Sequence, residues 1–253
     1  MFPSRPRPKG EIIFQQGTRQ ILLLEDGKIA KIGLSIDRQE AENLRFIHKH
    51  TTIPVPEVFD SYDTDDGGHC IVMARVPGIT LQQAGPDLSD ESKSRILTEL
   101  IGYIRQLRRL QGTSVSSASG SPTGMYIFGS HLKEVLTSPS QFHDFITSKV
   151  YPEIPKYYIS YLRSRFDDKS CLLFTHGDLV ARNIFIENGK ISGIIGWGWA
   201  GYYPEHWEFV KFMTNVAWPL GFGKGMVAEF PEYNDAYLTY NLLETISRSK
   251  PST

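Results

Sequence analysis

Short apolar runs separated by turn residues characterise the first part of the chain. The runs at residues 11–14, 20–25 and 28–33 are rich in Ile and Leu, and Asp26-Gly27 joins the last two. An Asp-Gly pair between apolar runs is a strong hairpin signal, and runs of this length are typical of strands. The pattern therefore predicts three short antiparallel strands.

A helical spacing of apolar positions follows at residues 37–50. Ala41, Leu44 and Ile47 lie three residues apart, and most of the other positions of this segment are polar. This spacing places the three side chains on one face of a helix, and Pro54 lies beyond its end. We therefore predict one helix behind the strands.

Two further strand-like runs, at residues 57–62 and 69–74, lead into the sequence Arg-Val-Pro-Gly at residues 75–78. Together with the first three strands they make a small sheet that ends in a hinge. We predict that residues 11–76 form an N-terminal lobe and that residues 1–10, which are basic and rich in proline, form a flexible tail.

The pattern changes from strand to helix after this hinge. Residues 89–111 carry apolar positions at helical spacing, with Ser89 placed as N-cap, and the Ser/Gly-rich residues 113–124 indicate an exposed loop. Further helices are predicted at residues 141–150, 153–165, 205–216 and 232–246, and short strands at 171–174, 184–187 and 191–195. The fold class is therefore α+β, with residues 77–253 forming a mainly helical second lobe.

Composition and charge narrow the possible functions. The chain is 40% hydrophobic and 12% aromatic, which is typical of a globular enzyme, and its formal net charge is -1. We expect no nucleic-acid partner, because no overall positive charge would attract one. The two cysteines, Cys70 and Cys171, show no metal or disulfide spacing, and no apolar stretch reaches 18 residues. We therefore expect a cytoplasmic protein without a membrane partner; oligomeric state is left open.

A polar segment between two predicted strands, residues 175–183, carries the candidate chemistry. It contains Asp178 and Asn183, five positions apart, which is the spacing of the kinase loop H-R-D-x-x-x-x-N. Phosphoryl transfer needs a carboxylate beside the acceptor hydroxyl and groups that hold the phosphates in line. Asp178 is therefore the candidate catalytic base and Asn183 the candidate metal ligand. Taken alone, the two residues also fit an Asx-rich turn.

Lys31 and Glu40 form a second candidate pair. Lys31 lies near the end of the third predicted strand and Glu40 lies early in the following helix. Their side chains can meet across a sheet–helix interface, where Glu40 would aim the Lys31 ammonium group at nucleotide phosphates. Their order relative to Asp178 supports one shared site.

With these residues in place, the chain resembles the aminoglycoside phosphotransferase and choline kinase group, which has a protein-kinase-like fold, and especially its fungal members of unassigned substrate. The matching runs, in family order, are Ile29-Ala30-Lys31, Glu40 through Phe46, Ile53-Pro54-Val55-Pro56, Ile71-Val72-Met73, His176-Gly177-Asp178-Leu179, Arg182-Asn183-Ile184 and Gly201 through Glu205.

This resemblance implies a bilobal enzyme that moves the γ-phosphate of ATP to a hydroxyl of a small molecule. It implies Lys31 and Glu40 as the phosphate-positioning pair and Asp178 as the base. It also implies Asn183 as a Mg²⁺ ligand, and backbone groups around Arg75 and Val76 as the adenine site. The cofactors it implies are ATP and Mg²⁺.

One departure from the family pattern bears directly on activity. The family strand after the catalytic loop runs into Asp-Trp-Glu, whose Asp binds Mg²⁺, whereas this chain has Gly196-Trp197-Gly198. A bound metal contributes several kcal/mol of charge stabilisation, so its loss could cost about a thousandfold in rate. Carboxylates that could replace the missing ligand are Glu187, Glu205 and Glu208. The alternative function is a catalytically inactive pseudokinase that serves as a nucleotide-binding or interaction module.

Other motifs favour structural interpretations. Residues 196–201 match G-x-G-x-x-G, but Pro204 delays the following helix, which argues against a dinucleotide site. The Gly-rich residues 221–225 lack P-loop spacing and indicate a flexible turn. His176 is expected to hold the loop through backbone hydrogen bonds, and the four tryptophans are expected mainly in the core.

Overall fold

The computed structural model describes residues 4–215 and 218–248 of the chain. An N-terminal antiparallel sheet comprises β1 (Glu11–Gln16), β2 (Arg19–Leu23), β3 (Ile29–Gly33), β4 (Val58–Asp63) and β5 (His69–Met73), in the order β1-β2-β3-β5-β4. Helix α1 (Gln39–His50) contacts β4 and buries Ala41, Leu44 and Ile47. The five strands and the helix match the prediction from the apolar pattern.

The second lobe is mainly helical. Its helices are α2 (Leu81–Ala84), α3 (Asp90–Leu107), α4 (Pro139–Thr147), α5 (Lys156–Arg163), α6 (Trp207–Met213), α7 (Phe222–Glu229) and α8 (Asn234–Arg248). Its strands are β6 (Ile79–Thr80), β7 (Gln111–Gly112), β8 (Tyr126–Ile127), β9 (Ser130–His131), β10 (Leu172–Thr175), β11 (Ile184–Glu187), β12 (Lys190–Ile194) and β13 (Gly201–Pro204). The predicted α+β class and two-lobed arrangement are confirmed.

Small sheets in this lobe fix the position of the polar segment between β10 and β11. β10 pairs with β13 and β7, and β11 pairs with β12 and β6. Strand β6 comes directly after the hinge and pairs with β11, which comes directly after the polar segment. The hinge and the polar segment are therefore connected to the same small sheet. Helix α3 begins at Ser89, whose hydroxyl accepts a hydrogen bond from the Ser92 N–H at 3.2 Å, as its capping role predicts.

The N-terminal residues from Ser4 onward lie against the outer edge of the sheet. The Arg5 backbone pairs with Thr64, and its guanidinium contacts Asp60 at 2.8 Å. Arg7 contacts Asp66 at 2.5 Å. The basic residues that suggested a free tail thus have acidic partners on β4 and the turn after it.

Residues 113–124 form a loop, as predicted, but the loop is exposed only in part. Val115 and Ser117 are fully buried, and Val115 pairs with Leu136. The Asn43 side-chain oxygen on α1 accepts a hydrogen bond from the Ala118 N–H at 3.2 Å. The small side chains that suggested exposure instead allow the backbone to approach α1 closely.

The Gly-rich residues 221–225 also differ from the prediction. They begin helix α7 rather than forming a turn, and a Cβ at Gly225 would lie 2.3 Å from Leu97 Cδ2. The glycine therefore permits close packing of α7 on α3. Helix α6 runs from Trp207 to Met213, so the prediction of helix at residues 205–216 was too long at both ends, and its last residue, Val216, lies outside the described residues.

The largest apolar core joins the two lobes. It extends from α1 through α3 and β10–β12 to α6 and α7, and Trp197 is fully buried within it. A second core contains Trp207 and Phe142, and a small third core lies within the N-terminal sheet. Within residues 4–215 and 218–248, no helix has both the length and the apolar character needed to cross a membrane.

Candidate active site

A cleft of about 1090 Å³ lies between the sheet and the helical lobe. Its lining includes all six residues that the sequence singled out, namely Lys31, Glu40, Arg75, Val76, Asp178 and Asn183. Gly196 and Gly198 also line it. The strand, the helix, the hinge and the catalytic loop therefore meet at one site.

The Lys31–Glu40 pair forms the sheet side of the cleft. On β3, Ala30 and Ile32 are buried in the sheet core, so the alternation of the strand turns Lys31 to the opposite face. Lys31 Nζ donates to Glu40 Oε2 at 2.5 Å, and the Glu40 side chain is only 4% exposed. The ammonium group is therefore held in place by a carboxylate with little access to water.

The backbone of the catalytic loop is fixed by Glu208 on α6. Its Oε2 accepts a hydrogen bond from the His176 N–H at 2.5 Å, and the nearby Gly177 N–H also favours the charged carboxylate. Burial raises the pKa of Glu208 to about 7 despite these donors. Gly177 has φ +77°, and a Cβ there would lie 2.9 Å from the Trp199 carbonyl oxygen. The loop thus requires glycine at this position.

The His176 imidazole holds the loop from inside. Its Nδ1 accepts a hydrogen bond from the Asp178 N–H at 3.1 Å, so Nε2 carries the proton and donates to the Ile195 carbonyl oxygen at 3.0 Å. Burial lowers the pKa of His176 to about 4. The ring is therefore a neutral structural link, as the sequence predicted.

Asp178 is bound by two neighbours in its own loop. Asn183 Nδ2 donates to the Asp178 carbonyl oxygen at 2.8 Å and to its Oδ2 at 2.9 Å. Arg182 Nη2 donates to Oδ1 at 3.0 Å and to Oδ2 at 3.1 Å. The candidate base therefore shares its carboxylate with an amide and a guanidinium group, both of which line the cleft.

The two glycines occupy the floor between Asn183 and Glu40. A Cβ at Gly196, where φ is +86°, would lie 2.8 Å from Asn183 Nδ2. A Cβ at Gly198 would lie 3.6 Å from Glu40 Oε2. Neither glycine supplies a ligand group, and a Cβ at Gly198 would lie 3.5 Å from Cβ of Asp37, another residue of the cleft.

Asp37, which the sequence did not single out, contributes a further carboxylate to the cleft. Its Oδ1 accepts a hydrogen bond from the Gln39 N–H at 2.8 Å, and burial raises its pKa. A Cβ at Gly124 would lie 1.5 Å from Asp37 Oδ2. The Ser/Gly-rich segment therefore packs directly over this carboxylate.

The three carboxylates proposed as replacements for the missing metal ligand serve elsewhere. Glu208 braces the catalytic loop, and Glu205 Oε2 accepts a hydrogen bond from the Tyr233 hydroxyl at 3.2 Å. Glu187 is exposed at the end of β11, opposite Lys190. None of the three lines the cleft.

The residues of the cleft do not fit the Mg²⁺ ion that the resemblance implies. Protein sites for Mg²⁺ supply one or two carboxylates beside the substrate phosphates. Here Asp178 is engaged by Arg182 and Glu40 by Lys31, and Gly196 and Gly198 supply no carboxylate, which leaves Asp37, whose Oδ1 accepts one backbone hydrogen bond. In the part of the chain that the structure describes, no three His, Cys, Asp or Glu side chains are arranged to hold a metal.

Besides Asp37, the sequence did not predict the roles of Arg182 and Glu208, for different reasons. Arg182 was seen only as part of the motif, although its i, i+4 spacing from Asp178 signalled the contact. Glu208 was considered as a metal ligand, because nothing in the sequence shows that α6 packs its carboxylate beneath residues 176 and 177.

Comparisons with known proteins extend to almost the whole chain. A model of the phosphotransferase enzyme family matches residues 36–246. A crystal structure of aminoglycoside phosphotransferase APH(4)-Ia has a similar fold, with a TM-score of 0.68 at 14% identity, over 94% of this chain and 83% of that one.

A thermostable mutant of the same phosphotransferase, in a ternary complex with ADP and hygromycin B, gives a TM-score of 0.64 at 15% identity, over 94% and 84% of the two chains. The ADP-bound phosphotransferase APH(2'')-Ib gives 0.60 at 15% identity, over 95% and 87%. At these identities the likeness concerns the fold. A search of curated proteins by sequence found no match.

Proposed function

Because the chain belongs to the phosphotransferase enzyme family, we propose that it binds ATP in the cleft and transfers the γ-phosphate to a hydroxyl group of a small molecule. The observation that carries this proposal is the convergence of Lys31, Glu40, Asp178 and Asn183 on one cleft. The four residues come from distant parts of the chain, and phosphoryl transfer needs the groups they supply. Structures with a similar fold contain ADP, which supports a nucleotide ligand.

The nucleotide is proposed to lie with its base near the hinge. Arg75 and Val76 line the cleft there, beside the apolar side chains of Ile29, Met73 and Phe185. A planar base fits between such apolar walls, and backbone groups of the hinge segment can pair with its edge. The phosphates would then extend toward Lys31 and the catalytic loop.

Asp178 is proposed as the general base. It accepts the proton of the acceptor hydroxyl while that oxygen bonds to the γ-phosphorus, and the bond from this phosphorus to the β-phosphate oxygen breaks to release ADP. Asn183 fixes the orientation of the carboxylate. No step is assigned to Mg²⁺, because glycine stands at positions 196 and 198 and Arg182 engages Asp178.

The test is ADP release from ATP by the purified chain in the presence of a panel of hydroxyl compounds, with and without Mg²⁺. Acceptor-dependent ADP release that Asp178→Asn abolishes supports phosphotransfer. An Asn side chain at position 178 has nearly the same shape as Asp but has no carboxylate to accept the proton. Equal activity in Asp178→Asn, or no turnover with any compound, contradicts the assigned reaction.

A second candidate is a nucleotide-binding module without catalysis. Gly196 and Gly198 favour it, because neither supplies the carboxylate that a bridging metal would need. It predicts saturable ATP binding without ADP release under every condition. Acceptor-dependent turnover excludes it, so the same purified chain distinguishes the two candidates.

A further inference from the structure

Among the described residues, some of the charged side chains that line the cleft have a partner of opposite charge, and others do not. Its basic residues include Arg19, Lys31, Arg75 and Arg182, and its acidic residues include Asp37, Glu40 and Asp178. Two of these acids already carry a cation partner each, at Glu40 and Asp178. The lining thus holds four basic side chains against three acidic ones, an excess of positive charge that favours a polyanion.

Arg182 is the cation best placed at the catalytic loop. Its side chain is 57% exposed, it lines the cleft, and a single nitrogen, Nη2, makes both contacts with Asp178. A guanidinium group has five N–H donors in a planar fork that matches phosphate oxygens. Arg182 can therefore contact a phosphate with its remaining donors, or exchange Asp178 for that phosphate.

The glycines on the floor remove the reason for a bridging metal. A carboxylate at position 196 or 198 would stand beside Asn183 or Glu40 and would repel the phosphates unless a divalent cation lay between them. With glycine at both positions, this repulsion is absent. The misfit to Mg²⁺ and the position of Arg182 thus have one common explanation.

We propose that this cleft binds nucleotide polyphosphates without a divalent cation, with Arg182 and Lys31 contacting the phosphates in place of a metal. The inference rests on the proposed nucleotide site but not on catalysis. It assigns Arg182 as a phosphate-binding residue and makes free ATP, rather than its magnesium complex, the preferred ligand.

The test is calorimetric titration of ATP into the full chain, in EDTA and in excess Mg²⁺. We expect the dissociation constant in EDTA to equal or fall below that in Mg²⁺, since complexation removes phosphate charge that the cleft uses. Binding that appears only with Mg²⁺ overturns the inference and leaves the nucleotide site intact. Absence of binding in both conditions overturns the proposed function as well.

Arg182 is tested by substitution. Arg182→Ala should weaken ATP binding in EDTA about tenfold to a hundredfold, the loss expected for a charged hydrogen bond, and Arg182→Lys should recover part of it. Arg95→Ala, at an exposed position on α3 outside the cleft, is the matched control and should bind as the natural chain does. Unchanged affinity in Arg182→Ala overturns its assignment.

The floor is tested with two substitutions of equal size. Asp and Asn tolerate the left-handed backbone at position 196 better than other residues, so Gly196→Asp and Gly196→Asn differ mainly in charge. In EDTA we expect Gly196→Asp to bind ATP more weakly than Gly196→Asn, and added Mg²⁺ to narrow the difference. Equal affinities in EDTA contradict the charge argument, and melting curves establish that both variants fold.

Discussion

The two walls of the cleft hold ion pairs of different character. On the sheet side, the Lys31 and Glu40 side chains are 16% and 4% exposed, whereas the Arg182 and Asp178 side chains on the loop side are 57% and 24% exposed. Removing one partner of a buried pair leaves a charge without water, while an exposed pair is solvated and screened. The sheet side is therefore a fixed support, and the loop side can exchange its partner for a ligand.

Removal of the carboxylate of the buried pair should have the largest effect on stability. Glu40→Ala should lower the free energy of unfolding by about 3 kcal/mol, because the Lys31 charge loses its partner. Glu42→Ala, in the same helical turn but exposed, is the matched control and should change it by less than about 0.5 kcal/mol. Urea unfolding measures both, and equal effects would contradict the contrast.

The loop side depends on its backbone rather than on its ion pair, and Gly177→Ala tests this. We expect a loss of about 3 kcal/mol, since Ala is strained at φ +77° and its Cβ would lie 2.7 Å from Met125 Cε. Gly189→Ala, at φ +72° with open space around it, isolates the strain and should cost only about 1 kcal/mol. Similar losses at both positions would show that the close approach at Gly177 contributes nothing.

Features of the fold and the site could be predicted from the sequence where they depend on residues close together in the chain. The apolar spacing predicted α1 and the first five strands, because local periodicity reports which face is buried. The motif spacing of Asp178 and Asn183 located the catalytic loop. By contrast, burial of residues 113–124 and the brace from Glu208 depend on contacts between distant segments, and nothing in the local sequence encodes them.

Buried imidazoles should make the fold sensitive to acid, both at His176 in the catalytic loop and at His206, which lies in the helical lobe away from the cleft. Burial, together with the nearby His143, lowers the pKa of His206 to about 3. The folded chain therefore keeps this ring neutral while the unfolded chain takes up a proton below about pH 6.5, so its contribution to stability is lost as the pH falls.

Substitution isolates this contribution. In His206→Phe, the new ring can stack on Phe166 as the imidazole does. Below about pH 6, the free energy of unfolding of this variant should therefore fall less steeply than that of the natural chain, by about 1.4 kcal/mol per pH unit. Glu208 acts in the opposite direction, because its raised pKa gives stability that is lost as the pH rises toward 7. Urea unfolding across this pH range measures the slope, and an unchanged slope in His206→Phe contradicts the assignment.

The smallest effect on stability should come from the exposed pair. Arg182→Ala is expected to change the free energy of unfolding by less than about 1 kcal/mol, as is typical of ion pairs open to solvent. Urea unfolding of this variant beside Glu40→Ala completes the comparison of the walls. A loss near that of Glu40→Ala would show that Arg182 has a structural role in place of the exchangeable one.

If both walls hold the phosphates of one nucleotide, a crystal structure of the chain grown with ATP in EDTA should show it. Phosphate oxygens are then expected within about 3 Å of both Lys31 Nζ and the Arg182 guanidinium group. Phosphates bound outside this cleft, or inside it without contact to Arg182, would rule out this arrangement.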